Sequence, residues 1–143
     1  MRTKKQNLHD KALQSLRARL GRDKISCRIM SENNSHYDLL VGGVIKIEVK
    51  ASEQRITTKG HVNFSWKFNF HRHGEIDQNP LDFYALYCDM NPYGIWLIVP
   101  YEHCASLYTL NIGWRALARE WGKWEGDFKS IKDAVEAKNV QRV

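Results

Sequence analysis

Tyr37-Asp38-Leu39-Leu40-Val41-Gly42-Gly43-Val44-Ile45-Lys46-Ile47-Glu48-Val49-Lys50 is the stretch on which the fold turns. Two apolar runs flank a glycine pair, and glycine supplies the positive φ that a tight turn between strands demands. The second run alternates, with Ile45, Ile47 and Val49 on one face and Lys46, Glu48 and Lys50 on the other. Glu48 and Lys50 therefore point the same way. Asp38 precedes Glu48 by ten residues and falls on the neighbouring strand. The hairpin thus gathers two carboxylates and an amine at one end of a sheet, a set able to hold a divalent cation and orient a water. The same spacing also occurs on strand faces that meet only solvent.

Upstream, residues 7–20 read as a helix ending at Gly21, with Leu13, Leu16 and Leu20 on one stripe and Ala12 beside them. His9 falls within that stripe and reads as a structural imidazole, while Asp10 lies on its flank. Residues 25–30 alternate as a first strand, and residues 31–36 form a polar loop in which Glu32 and His36 meet solvent. Downstream, Ser52 shares the Glu48/Lys50 face, and residues 57–60 form a turn carrying Lys59. Val62, Phe64, Trp66, Phe68 and Phe70 then alternate with Asn63, Ser65, Lys67 and Asn69. The aromatic face of this strand is expected in the core and the polar face towards a nucleic acid. His71 and His73 flank Arg72 in a loop, and no further Cys or His has the spacing of a zinc site.

Residues 81–88 and 95–99 are continuous apolar runs, the pattern of strands covered on both faces. Asp82 opens the first as a turn residue, and Pro100 ends the second. Residues 114–121 and 129–138 are expected to be helical, and the tryptophans at 114, 121 and 124 to pack.

At 143 residues the chain can bury a substantial core, and 43% hydrophobic with 27% charged residues argues against disorder. No apolar run approaches a bilayer-spanning length and none follows the basic N-terminus, so neither a membrane span nor a secretory signal is expected. Cys27, Cys88 and Cys104 are scattered, as buried thiols in a reducing compartment would be. The expected address is the cytoplasm, on the nucleoid when DNA is bound. The net charge of +6 is uneven: residues 1–30 hold nine Lys or Arg against two Asp, the remainder thirteen against fourteen acids. Such a segment suits a polyanion. Lys4, Lys5 and Arg17 within it, with Ser52, Lys59, Lys67 and Arg72, are the candidate DNA contacts.

An Asp on one strand followed by Glu-x-Lys on the next resembles the PD-(D/E)XK nuclease superfamily. Asp38, Glu48, Val49 and Lys50 carry the likeness, with Tyr-Asp-Leu-Leu-Val in place of the usual Pro-Asp opening. The order Glu-Val-Lys, aromatic strand, Asp82-Phe83-Tyr84-Ala85-Leu86-Tyr87 and Trp96-Leu97-Ile98-Val99-Pro100 is similar to the small group I intron-encoded homing endonucleases of that superfamily. This resemblance implies an α/β (α+β) fold, with a restriction-endonuclease-like mixed central β-sheet flanked by helices. One domain would occupy residues 1–143, with a core over about 8–101 and a helical part over about 102–143. It further implies Mg²⁺, with Mn²⁺ as a substitute, held by Asp38, Glu48 and the Val49 carbonyl, and Lys50 beside the attacking water. Members often carry a Glu on the first helix that faces the metal. Here there is none, and Asp10 is the nearest acid, expected as an additional catalytic contact. The implied activity is site-specific hydrolysis of double-stranded DNA by a homodimer or homotetramer. A Holliday junction resolvase and a non-catalytic DNA-binding module are the alternatives.

Overall fold

The computed structural model of the chain describes residues 3–30, 37–57, 63–70, 81–90 and 92–141. Glu32, His36, Lys59, Val62 and the loop of His71, Arg72 and His73 lie outside the described residues. Helix α1 (Lys4–Arg22) starts at Thr3, whose hydroxyl accepts the Gln6 N–H while the Gln6 side chain accepts the Thr3 N–H. Its buried stripe is Ala12, Leu13, Leu16 and Leu20, the residues the leucine spacing selects. Gly21 does not end it. The helix runs on to Arg22 and closes three positions after Gly21, with Lys24 at φ 60° and the Lys24 and Ile25 N–H groups returning to the Gly21 and Leu20 carbonyls. Lys24 therefore takes the left-handed position that usually goes to glycine.

Strands β1 (Cys27–Ile29), β2 (Leu39–Val41) and β3 (Ile45–Glu53) follow, and Gly42 and Gly43 turn the β2–β3 hairpin at φ 59° and 73°. Beyond β4 (Arg55–Thr57) and β5 (Asn63–Asn69), the chain returns as β6 (Phe83–Asp89) and β7 (Gly94–Pro100). The central sheet has the order β1-β2-β3-β6-β7, and β3 and β6 are its parallel pair. The fold is mixed α+β, as expected.

Both faces of this sheet are covered. On one, α1 and α3 (Phe128–Gln141) lie over Leu39, Val41, Ile45, Ile47, Val49 and alternate residues of β6 and β7. On the other, Tyr84, Leu86, Cys88, Leu97 and Val99 meet Trp66, Phe68 and Ile112. The alternate residues of β6 go to opposite cores, which is why its sequence is apolar throughout. The aromatic face of β5 is core as expected, with Trp66 and Phe68 fully buried.

The segment after residue 101 is not helical throughout. Strand β8 (Thr109–Gly113) pairs antiparallel with β5, and β4-β5-β8 form a second sheet. The alternation of Leu110 and Ile112 extends over too few residues to stand out, and the β5 surface supplies the missing preference. Helix α2 spans only Trp114–Ala118, and Gly122–Trp124 form a 3₁₀ segment that packs the Trp121 and Trp124 rings against the core around Trp66 and Phe68. Among the described residues, no helix is long and apolar enough to cross a membrane.

Candidate active site

The site forms where β3 outruns its partner. Pairing with β2 ends at Leu39↔Ile47, so the next edge-facing peptide groups of β3, at Val49, have no β2 strand opposite them. Unpaired backbone groups at a half-covered edge must find other partners. Asp38, the residue before β2, donates its own N–H to the Ile47 carbonyl at 2.9 Å, and its Oδ2 accepts the Val49 N–H at 2.7 Å. The Val49 carbonyl lies 3.1 Å from His9 Nε2, which is also 3.5 Å from Asp38 Oδ2. A carbonyl oxygen only accepts, so Nε2 carries the hydrogen in this arrangement. The hydrogen bond to Asp38 holds the His9 imidazole above its ordinary value, against the opposing effect of burial. The Asp38 charge, the Val49 carbonyl and Asp10 add to the rise.

Glu48 and Lys50 project side by side, with Lys50 Nζ 3.9 Å from Glu48 Oε2. The Lys50 side chain is only 19% exposed, and its ammonium lies 5.4 Å from the centre of the Phe70 ring. Its charge reaches the buried Cys104 thiol, which burial pushes up to about 12 while Lys50 pulls the other way.

Asp38, Glu48, Val49, Lys50 and His9 line one cavity of about 260 Å³. An adjoining groove of about 400 Å³ shares Lys5, Ala51, Lys67 and Asn69 with it. Lys4, Lys5, Arg55 and Lys67 give that groove its charge, and Glu53, its acid, lies 3.0 Å from Lys4. The cavity therefore opens onto a basic channel suited to a phosphodiester backbone.

Most residues singled out in the sequence converge here, but Asp10 and Arg17 do not. Asp10 is not part of the cavity wall; its carboxylate lies 4.0 Å from His9 Nδ1, on the far side of the ring from Asp38. Successive helical residues differ by about 100° around the axis, and α1 turns His9 inward at this level. His9 is not the purely structural imidazole expected, since it is 35% exposed and borders the cavity. Ser52 is 8% exposed and ties the layers together: its hydroxyl accepts the Lys67 N–H at 3.0 Å and donates to the Glu53 carbonyl. It also lines the basic groove. Arg17 lies close enough to Cys27 to oppose the rise that burial imposes on that thiol, and it borders neither cavity nor groove. Asp82 is a strand-start residue, accepting the Lys46 N–H and pairing with Lys138 at 3.0 Å. Asn69 lines the groove as the polar face of its strand implied, whereas Arg55 was not singled out in the sequence; it is placed by the pairing of β4 with β5 and the packing of β5 on β3.

Among the described residues, no three His, Cys, Asp or Glu side chains are close enough to hold a metal ion by themselves. The donor set fits a divalent cation only with the backbone: two carboxylates that line one cavity and a carbonyl without a strand partner, all hard oxygens.

No protein-family model and no curated protein matches the sequence. Among solved structures, the fold is similar to that of the bacterial homing endonuclease I-Ssp6803I, with a TM-score of 0.63 over 93% of this chain and 96% of that one, at 14% identity. The chain shares the overall fold of that structure.

Proposed function

We propose that the protein is a divalent-cation-dependent DNA endonuclease of the PD-(D/E)XK type that cuts duplex DNA at specific sites. One observation carries the reading: Asp38, Glu48, Val49 and Lys50 line a single cavity that runs into a channel walled by Lys4, Lys5, Arg55 and Lys67. The likeness in fold to a homing endonuclease supports the same direction. Asp38, Glu48 and the Val49 carbonyl are the groups that would hold Mg²⁺ or Mn²⁺. Such a cation supplies Lewis acidity at the scissile phosphate and an acidified water.

The remaining roles belong to the chain itself. Lys50 is kept from bulk water between Glu48 and Phe70, where an ammonium orients the incoming water and balances charge developing on the phosphate. Lys5, Arg55 and Lys67 hold the backbone on either side of the cut, positioning DNA without reading its sequence. A chain of this length spans few base pairs, and cutting both strands takes two such sites, so the active form is a homodimer or homotetramer.

The test is incubation with Mg²⁺ or Mn²⁺, a plasmid library and a synthetic four-way junction. Discrete plasmid fragments are expected, and Glu48→Ala and Lys50→Ala should each abolish them while duplex binding in a gel shift stays within about threefold. Symmetric nicks in the junction alone would make the protein a resolvase. No cleavage of either substrate would leave a DNA-binding module, and undiminished cleavage by both variants would place the chemistry elsewhere.

A further inference from the structure

The first helix offers the cavity a nitrogen where an acid was expected. His9 Nε2 stands 3.1 Å from the Val49 carbonyl oxygen and 3.5 Å from Asp38 Oδ2. Neighbouring ligands on a cation with bonds of about 2.1 Å stand about 3.0 Å apart in an octahedron and about 3.4 Å apart in a tetrahedron. Both distances from His9 Nε2 thus fall near the spacing of neighbouring ligands on one ion. Asp10, which misses the cavity, completes the arrangement from behind: its Oδ1 lies 4.0 Å from His9 Nδ1. Metal-bound imidazoles commonly present their second nitrogen to a carboxylate, which fixes the tautomer and makes the bound nitrogen more basic.

We propose that His9 is a direct ligand of the cation held by Asp38 and the Val49 carbonyl, and that it makes the site prefer Mn²⁺ and Co²⁺ to Mg²⁺. The proposal rests on the nuclease reading for the cation and adds to it a ligand and a selectivity. An all-oxygen site suits Mg²⁺, whereas an imidazole favours first-row transition metals, increasingly from Mn²⁺ to Co²⁺. On ligation the ring hydrogen moves from Nε2 to Nδ1, on the Asp10 side, so the imidazole stays neutral and only its tautomer changes. Asp10 acts here as a positioning residue.

The metal-free full chain is titrated with Mg²⁺, Mn²⁺ and Co²⁺ by calorimetry. Loss of the free Mn²⁺ paramagnetic resonance signal and the visible absorption of bound Co²⁺ give independent readouts. Wild type should bind Co²⁺ at least about tenfold more tightly than Mg²⁺, and His9→Ala should lose about tenfold or more in Co²⁺ affinity while Mg²⁺ affinity stays within about threefold. His9→Gln keeps a donor for the Val49 carbonyl, so it separates ligation from support of the strand edge; it should lose Co²⁺ affinity as His9→Ala does. Asp10→Asn should weaken Co²⁺ more than Mg²⁺. An unchanged ratio of Co²⁺ to Mg²⁺ affinity in both His9 variants overturns the proposal. If Asp38→Ala abolishes binding while the His9 variants match wild type, the nuclease reading survives and only the His9 ligand falls. If Asp38→Ala also binds as wild type does, or no cation binds at all, both fall.

Discussion

Gly42→Ala probes the hairpin on which the site depends, and its cost divides into two parts that neighbouring positions separate. Gly42 has φ 59°, and an added Cβ would stand 2.6 Å from Cγ1 and 3.1 Å from Cγ2 of Val135 on α3. Gly43 has φ 73° with nothing within 4 Å of the same construction. Left-handed backbone costs a residue with a Cβ about 1–2 kcal/mol, and forcing a methyl into a packed contact costs about 1–3 kcal/mol more. Gly43→Ala should therefore lose about 1–2 kcal/mol, and Gly42→Ala about 2–5 kcal/mol. Urea denaturation read by circular dichroism measures both through the transition midpoint at constant slope. In the double variant with Val135→Ala, the methyl finds room. The double-mutant cycle should then return a favourable coupling of about 1–3 kcal/mol. Equal losses at Gly42 and Gly43, with no coupling to Val135, would refute the claim that α3 is seated on the bare glycine of this turn.

Three further outcomes follow from the site and its surroundings. Lys5→Ala and Lys67→Ala should each weaken duplex binding and flatten the dependence of log K on log salt by about 0.9 if each neutralises one phosphate, while Arg17→Ala leaves both unchanged; filter binding across a salt series measures this. In the metal-free protein, the folded state holds His9 above its ordinary value of 6.5, so the charged ring stabilises the fold fully below that pH. That contribution disappears as pH rises through the higher folded value, and His9→Ala should flatten this part of the Tm–pH curve in scanning calorimetry. Burial pushes the Cys88 and Cys104 thiols up to about 12, so a disulfide reagent should modify the half-buried Cys27 first and reach the other two only on unfolding.

What could be read in the sequence was set by how local its physical cause is. The hairpin rests on neighbours in the chain: alternation sends Ile45, Ile47 and Val49 inward, and the glycines take φ values that other residues resist. The double-sided burial of β6 was legible for a similar reason, since every residue from Phe83 to Cys88 is apolar. Strand β8 was not, because its partner β5 lies some forty residues earlier and donates the pairing that Thr109–Gly113 lack alone. The assignment of Asp10 failed on a smaller scale. Counting back from a helix end fixes a face only loosely, because each residue turns a helical side chain by about 100°. The stripe itself pointed correctly to His9, four residues before Leu13. It did not show that the neighbouring core gives way at that level to a polar cavity.

That change of environment along one helix links the fold to the chemistry. Through Ala12, Leu13, Leu16 and Leu20, α1 lies over apolar positions of the sheet, where burying a large aliphatic side chain contributes about 1.5–3 kcal/mol. One turn earlier the same face meets β3 beyond the end of β2, where the Val49 peptide has no strand beside it. An apolar residue at position 9 would leave the Val49 carbonyl without the protein partner it has now, open only to what enters the cavity. The edge therefore selects for a polar group at position 9, and a cation, an imidazole N–H or a carboxylate bound through a cation each meets that need. A strand that outruns its neighbour thus does two things at once. It exposes a carbonyl and a capped carboxylate to one cavity, and it fixes which turn of the covering helix can reach them.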